Sequence, residues 1–176
     1  MPNRSIPDFF CCGLCDNDIY NQKKSEDYLS TLNRINDLLK KNEIKFFFDY
    51  ITLFNIVHNS NLYSTNSNEN IYLGVFKKNY KNIKGQEKMF DLKYLNGDLS
   101  NGIIISLKDK ITNINIILSI FYYSKDYYWS RSKNIDNIDN CKNIFHKFYL
   151  KETKFNNNTY LIPDNTSLFL LDSDLY

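Results

Sequence analysis

The stretch Ile44-Lys45-Phe46-Phe47-Phe48-Asp49-Tyr50-Ile51-Thr52-Leu53-Phe54-Asn55-Ile56-Val57-His58 decides the fold. Its first five residues are too few for a helix and rich in aromatic strand formers, so they read as a buried strand. Asp49 to His58 follows without a break as a turn into a short helix. Upstream, Tyr28, Leu32, Ile35, Leu38 and Leu39 recur at spacings of three and four, which places one apolar stripe along a packing helix. Ser25 can cap that helix, Glu26 and Asp27 suit the positive end of its dipole, and Lys40-Lys41-Asn42 bring it to an end. Helix, strand and short helix thus succeed one another.

Working outward, residues 59–70 are polar and rich in Ser and Asn, hence a loop, and Ile71 to Phe76 reads as a second strand. The short helix and the loop can bring 44–48 and 71–76 side by side, so the two are expected as neighbours in one sheet. Lys77 to Met89 reads as a polar surface helix that ends or breaks near Gly85. Strands then follow at Phe90 to Leu95, Gly102 to Leu107 and Ile114 to Tyr123. Asn96-Gly97 offers a tight turn between the first two, while Asp98 to Asn101 favours a longer loop. Phe148 to Phe155 and Thr159 to Ile162 flank Asn156-Asn157-Asn158 as a further hairpin, and Asp164 or Asn165 can cap a last short helix through Leu170. The fold class is α+β, a mixed sheet flanked by helices with antiparallel C-terminal strands. Residues 1–24 mix Pro, Cys, Asp and Asn without a period and read as an N-terminal arm, with 25–176 as a single domain.

Composition narrows the function classes. The 176 residues carry 22 Lys+Arg against 20 Asp+Glu, a net charge of +2, so there is no broad basic field and nucleic-acid binding is not expected. The 26 Asn, 14 Tyr and 13 Phe beside 5 Gly and 3 Pro follow AT-rich codons and report genome composition rather than function. Ile111 to Tyr123 is broken by Asn113, Asn115 and Ser119 and falls short of the roughly 18 apolar residues that span a membrane, so no span is expected. Met1 to Phe10 lacks the apolar core of a secretory leader, which makes a cytoplasmic location the expectation. Cys11, Cys12 and Cys15 cluster, but a zinc site wants a second close pair and finds only Cys141, His58 or His146, so ordinary reduced thiols are expected. Asp16-Asn17-Asp18 and Asp172-Ser173-Asp174 read as solvated charge, and His58 and His146 as single packed or exposed imidazoles. The aromatic run Phe121 to Trp129 can stack sugars or bases, although strand-end aromatics more often serve as core and rim.

The run Leu38 to Phe54 resembles the opening of the LicD/fukutin family, phosphotransferases of the nucleotidyltransferase fold. Tyr50, Thr52 and Leu53 match the family's Tyr-Gly-Thr-Leu-Leu-Gly turn, while Ile51 and Asn55 stand where it has glycines and His58 where it often has Arg. Asn70 to Lys78 is similar, in its apolar frame and in Gly74, to the family's acidic strand Trp-Asp-Asp-Asp-Ile-Asp-Ile-Gly. Ile120 to Trp129 resembles its Tyr/Trp loop, and Phe148 to Phe155 with Tyr160 to Pro163 resembles its proline-ended hairpin. Leu170 to Tyr176 looks like its late helix. The resemblance covers most of residues 26–176 and rests on order and spacing; it implies a nucleotidyltransferase-like sheet.

In that family, two acids one residue apart on a strand and a third from a neighbour hold Mg²⁺ for transfer of a phosphorylated group from a cytidine nucleotide to a glycan. On the matching register the paired acids fall at Asn70 and Tyr72 and the third near Asn115 or Leu118, with Glu69 the carboxylate left in the loop. An Asn amide is a weak neutral ligand, and a phenol with a pKa of about 10 stays protonated at neutral pH. Ile51, being β-branched, takes positive φ poorly, so the turn is expected to be remodelled. The motif-equivalent positions Tyr50, Thr52, Glu69, Asn70 and Tyr72 therefore hold no intact catalytic set, and neither metal nor other cofactor is expected. Taken singly, Tyr50 reads as a packed aromatic, Thr52 as a helix-start hydroxyl and Glu69 as a solvated acid. The resemblance then implies a degenerate member that has lost catalysis and serves as a binding or interaction module for a protein or glycan partner. Two alternatives stand: an active, Mg²⁺-dependent phosphotransferase moving phosphocholine or phospho-alditol, and a small structural or virion-type protein of chance similarity.

Overall fold

The computed structural model describes residues 13–59, 70–80, 83, 85–131 and 142–173, with the backbone alone for 13–20 and 59. The predicted apolar stripe lies on a 29-residue helix, α1 (Gly13–Lys41). Tyr28, Leu32, Ile35, Leu38 and Leu39 are all at most 3% exposed. The helix begins at Gly13 rather than Ser25, so it takes in twelve residues (13–24) that the sequence reading assigned to an arm. Once the packed stripe nucleates the helix, each added residue gains a hydrogen bond.

The C-terminus of α1 closes with Glu43 in the left-handed region at φ 56. Glu43 N–H donates to Lys40 O at 2.9 Å and Ile44 N–H to Leu39 O at 2.9 Å, and the buried Ile44 and Leu39 make the apolar contact that accompanies this termination. The chain is thereby aimed into β1 (Phe47–Phe48), shorter than the strand predicted over 44–48, and then into α2 (Tyr50–Asn59).

β1 pairs antiparallel with β2 (Asn70–Phe76), Phe47 opposite Gly74, so the expected neighbourhood of these two strands holds. A Cβ on Gly74 would lie 2.3 Å from the Phe47 ring, which explains a glycine inside a buried strand. Beyond β2, the surface helix expected over 77–89 is replaced by two 3-10 turns, Lys77–Asn79 and Gln86–Lys88, the second entered through Gly85 at φ 79. No apolar stripe runs through this segment to hold a longer helix.

β3 (Phe90–Asp98) and β4 (Gly102–Asp109) form an antiparallel pair. The turn falls at 98–101 and not at Asn96-Gly97, which stay paired with Ile104 and Ile103. Asp98 builds that turn, its carboxylate accepting from Ser100 N–H at 2.7 Å and Asn101 N–H at 2.9 Å. β5 (Asn115–Tyr123) joins β4 antiparallel and β2 parallel, giving the order β1-β2-β5-β4-β3. β6 (Tyr127–Arg131) pairs with the end of β5, and β7 (Lys142–His146) with β6, completing a mixed seven-stranded sheet.

β8 (Leu150–Phe155) and β9 (Asn158–Pro163) form the expected separate hairpin. Asn156 and Asn157 both take positive φ, 44 and 63, as a two-residue turn between strands demands. Asn165 caps α3 (Thr166–Asp172), its side chain accepting from Leu168 N–H at 3.3 Å. α3 is fastened to β7 by Asp172, which accepts from His146 N–H at 2.8 Å and lies 3.1 Å from His146 Nδ1. Asp172 is thus a largely buried structural partner rather than the solvated acid expected, while His146 is the exposed imidazole that the sequence allowed; Asp174 lies outside the described residues. No helix among the described residues is long and apolar enough to cross a membrane.

Candidate functional site

Side chains two apart on a strand share a face, which puts Asn70 and Tyr72 together at the start of β2. The parallel register sets Asn115 opposite Asn70 and Ile117 opposite Tyr72. Of the two positions predicted for a third ligand, Asn115 is therefore the one that joins the pair; Leu118 pairs with Leu73 and sits on the opposite face in the main core. The three polar side chains form a chain of hydrogen bonds, Asn115 Nδ2 donating to Asn70 Oδ1 at 3.2 Å and Asn70 Nδ2 to the Tyr72 hydroxyl at 3.1 Å.

The residues from the family-like turn meet this cluster. Thr52, 2% exposed on α2, accepts at Oγ1 from Tyr72 N–H at 2.8 Å, and Asp49 N–H donates to Tyr72 O at 3.2 Å. Thr52 is thus the hydroxyl that ties the helix to the strand. The Tyr50 ring stands edge-on to Tyr72 with centroids 5.1 Å apart. The left-handed residue of the turn is Tyr50, at φ 49, not Ile51. Ile51 instead packs with Tyr50 against Tyr72, Ile104 and Ile117, filling with side chain the space that a glycine would leave for close approach of a phosphate. Asn55, at the second glycine position, is buried at 2%. His58 lies at the far end of α2 against the Phe54 ring at 4.6 Å.

Four of the five motif-equivalent residues, Tyr50, Thr52, Asn70 and Tyr72, are thus brought together; Glu69 lies outside the described residues. Hard divalent cations are held by carboxylate and carbonyl oxygens. Asn70 and Tyr72 offer two neutral groups bonded to each other, Asn70 also to Asn115, and such a set does not fit Mg²⁺. Among the described residues no three His, Cys, Asp or Glu side chains converge as a metal group. Cys15 falls within α1, and Cys11, Cys12 and Cys141 lie outside the described residues.

A second concave region was missed by sequence reasoning as a site, although its aromatic run was singled out. It lies where β2 and β5 end, about 20 Å along β2 from Asn70. Here the sequence signals are Lys77-Lys78 directly after one apolar strand and Tyr122-Tyr123 closing another, and the parallel pairing of the two strands brings them to one place. No protein-family model matches this chain, and no curated protein matches it.

Proposed function

We propose that the chain is a LicD/fukutin-like protein of nucleotidyltransferase-like fold that has lost catalysis and works as a binding or interaction module. The observation that supports this reading is the Asn115, Asn70 and Tyr72 chain, three neutral groups satisfying one another where the family's chemistry needs carboxylates. A reacting phosphoryl group requires charge compensation that neutral, mutually bonded side chains do not supply. Ile51 adds a steric reason, because it fills the turn against Ile104 and Ile117.

The test restores the acids. The double change Asn70→Asp and Tyr72→Asp places two carboxylates on one strand face, about 6–7 Å apart along the strand. They repel each other until a divalent cation relieves the repulsion, so the variant's melting midpoint is expected to rise with millimolar Mg²⁺ or Mn²⁺ while the parent's does not. A variant whose melting curve ignores both metals overturns the assignment of these positions, and a parent that responds as strongly overturns the loss of the metal site.

A further inference from the structure

The parallel pairing of β2 and β5 ends at Phe76 and Phe121, and beyond it opens a cleft of about 870 Å³ lined by Lys77, Lys78, Tyr122, Tyr128 and Trp129 among others. Small-molecule pockets occupy about 300–1,000 Å³ and combine apolar walls with a few placed polar groups. The wall here is aromatic. Tyr122 stacks on Trp129 with centroids 4.3 Å apart and planes 15° from parallel, and Phe76 and Tyr128 meet at 5.1 Å.

Cations surround that wall. Lys142 Nζ lies 4.0 Å from the Trp129 centroid and Lys77 Nζ 5.0 Å from that of Tyr122. Neither Lys77 nor Lys78 forms an ion pair among the described residues. Asp98, whose charge reaches Tyr122, has its carboxylate taken up by the backbone and side-chain donors of Ser100 and Asn101. Tyr122 itself is 4% exposed, yet its hydroxyl finds no hydrogen-bond partner among the described residues. A buried polar group without a partner is costly and calls for an explanation, and this one belongs to a residue that lines the cleft. Burial first, and then the charge of Asp98, push this hydroxyl up to about 12, so it remains a donor throughout the physiological range.

We propose that this cleft binds a phosphorylated ring compound, its ring against the Tyr122, Trp129 and Tyr128 wall and its phosphate at Lys77 and Lys78. Two successive lysines that form no ion pair among the described residues suit a dianion, and an apolar aromatic wall suits the edge of a base or the apolar face of a sugar. Nucleoside phosphates and sugar phosphates share this chemistry. The proposal rests on the reading of the chain as a binding module and adds the place and the ligand class.

Trp129 is the one tryptophan of the chain, so its fluorescence reports on the cleft directly. The full chain, with metal chelated, is titrated with adenosine 5′-monophosphate, glucose 6-phosphate and inorganic phosphate, followed by Trp129 emission and by calorimetry. Saturable binding of at least one ring phosphate is expected, with inorganic phosphate at least tenfold weaker; the tighter of the two organic ligands identifies the source. The Lys77→Ala, Lys78→Ala double variant should lose at least tenfold in affinity, and Tyr122→Phe, which removes the unmatched hydroxyl alone, severalfold. Absence of binding by both organic phosphates at millimolar concentration, or binding undiminished in both variants, overturns the proposal. Chelation separates this result from the acid-restoring test, since a metal response by the parent would unseat the loss of catalysis and leave the cleft's binding standing.

Discussion

At the start of the parallel pair β2 and β5, Asn70, Tyr72 and Asn115 spend their polar groups on one another, and Ile51 fills the space beside them. At the other end of the same two strands, Lys77 and Tyr122 keep polar groups that no described side chain satisfies by hydrogen bond or ion pair, beside an open cleft. The hydrogen-bonded trio at one end is closed and neutral, whereas the other end is open and carries lysines. Side chains that share hydrogen bonds with one another have less left for a ligand than an unmatched donor beside a cavity. The resemblance drew attention to the first end, and the physical chemistry of recognition favours the second.

Both ends rest on one aromatic core, which gives the largest expected effect. Phe47 is fully buried opposite Gly74 in the middle of β2, and its ring lies 5.1 Å from Phe121, 5.4 Å from Phe76, 5.6 Å from Phe148 and 6.1 Å from Phe169. Phe47→Ala removes these contacts and leaves a cavity, a loss of about 3–5 kcal/mol. Urea denaturation should show the midpoint falling accordingly, with Trp129 emission and far-ultraviolet dichroism lost in one transition. Two separated transitions would break the picture of a shared core.

A third region shows what this fold does when it buries a charge. Asp109, at the end of β4, is fully buried and accepts from Arg34 Nε of α1 at 2.8 Å and from Ile111 N–H at 2.8 Å. Burial pushes its carboxyl up, but the Ile111 N–H, Arg34 and Thr31 bonds outweigh that and hold it below the usual range. A group depressed in the folded state contributes stability above its unfolded pKa of about 3.9 and loses it as pH falls through the lower folded value. Arg34→Ala should cost about 3 kcal/mol by stranding a buried carboxylate. It removes one of the interactions that hold the carboxyl down against burial, so acid unfolding should begin at higher pH than in the parent. An acid titration of the two proteins followed by dichroism checks this, and coincident curves would refute it. Where α1 supplies an arginine the sheet keeps its aspartate; the Asn70 cluster is built of neutral groups instead.

Much of this was legible in the sequence, and the limits have physical causes. The stripe from Tyr28 to Leu39, the adjacency of β1 and β2, the Asn156-Asn157 hairpin and the Asn165 cap all follow from local periodicity and turn chemistry, which a short window contains. The register that puts Asn115, rather than Leu118, beside Asn70 is set by a parallel pairing 45 residues apart, and no local signal carries it. The same pairing brings Lys77 to Tyr122. Asn96-Gly97 misled because Asp98 offers a side-chain acceptor for the N–H groups of Ser100 and Asn101, and that capping outcompetes a glycine's freedom. The helix start was missed because residues 13–24 extend a nucleus formed elsewhere.

The smallest expected effect tests whether the two ends of the strand pair are independent. Thr52 Oγ1 accepts the Tyr72 N–H at a buried position, so Thr52→Val keeps the shape and strands a backbone donor. A buried N–H without its acceptor costs about 1–2 kcal/mol. Thr52→Ser retains the oxygen and should lose clearly less, because it gives up a methyl group rather than a hydrogen bond. The loss belongs to the closed end, where Asp49, Thr52 and Tyr72 bind α2 to β2, and no part of it touches Lys77 or Trp129. Thr52→Val should therefore lower the melting midpoint while leaving the affinity of the cleft for a ring phosphate unchanged within error. If affinity falls with stability in Thr52→Val but not in Thr52→Ser, the hydrogen bond at the closed end helps set the geometry of the open one, and the two ends act as a single unit.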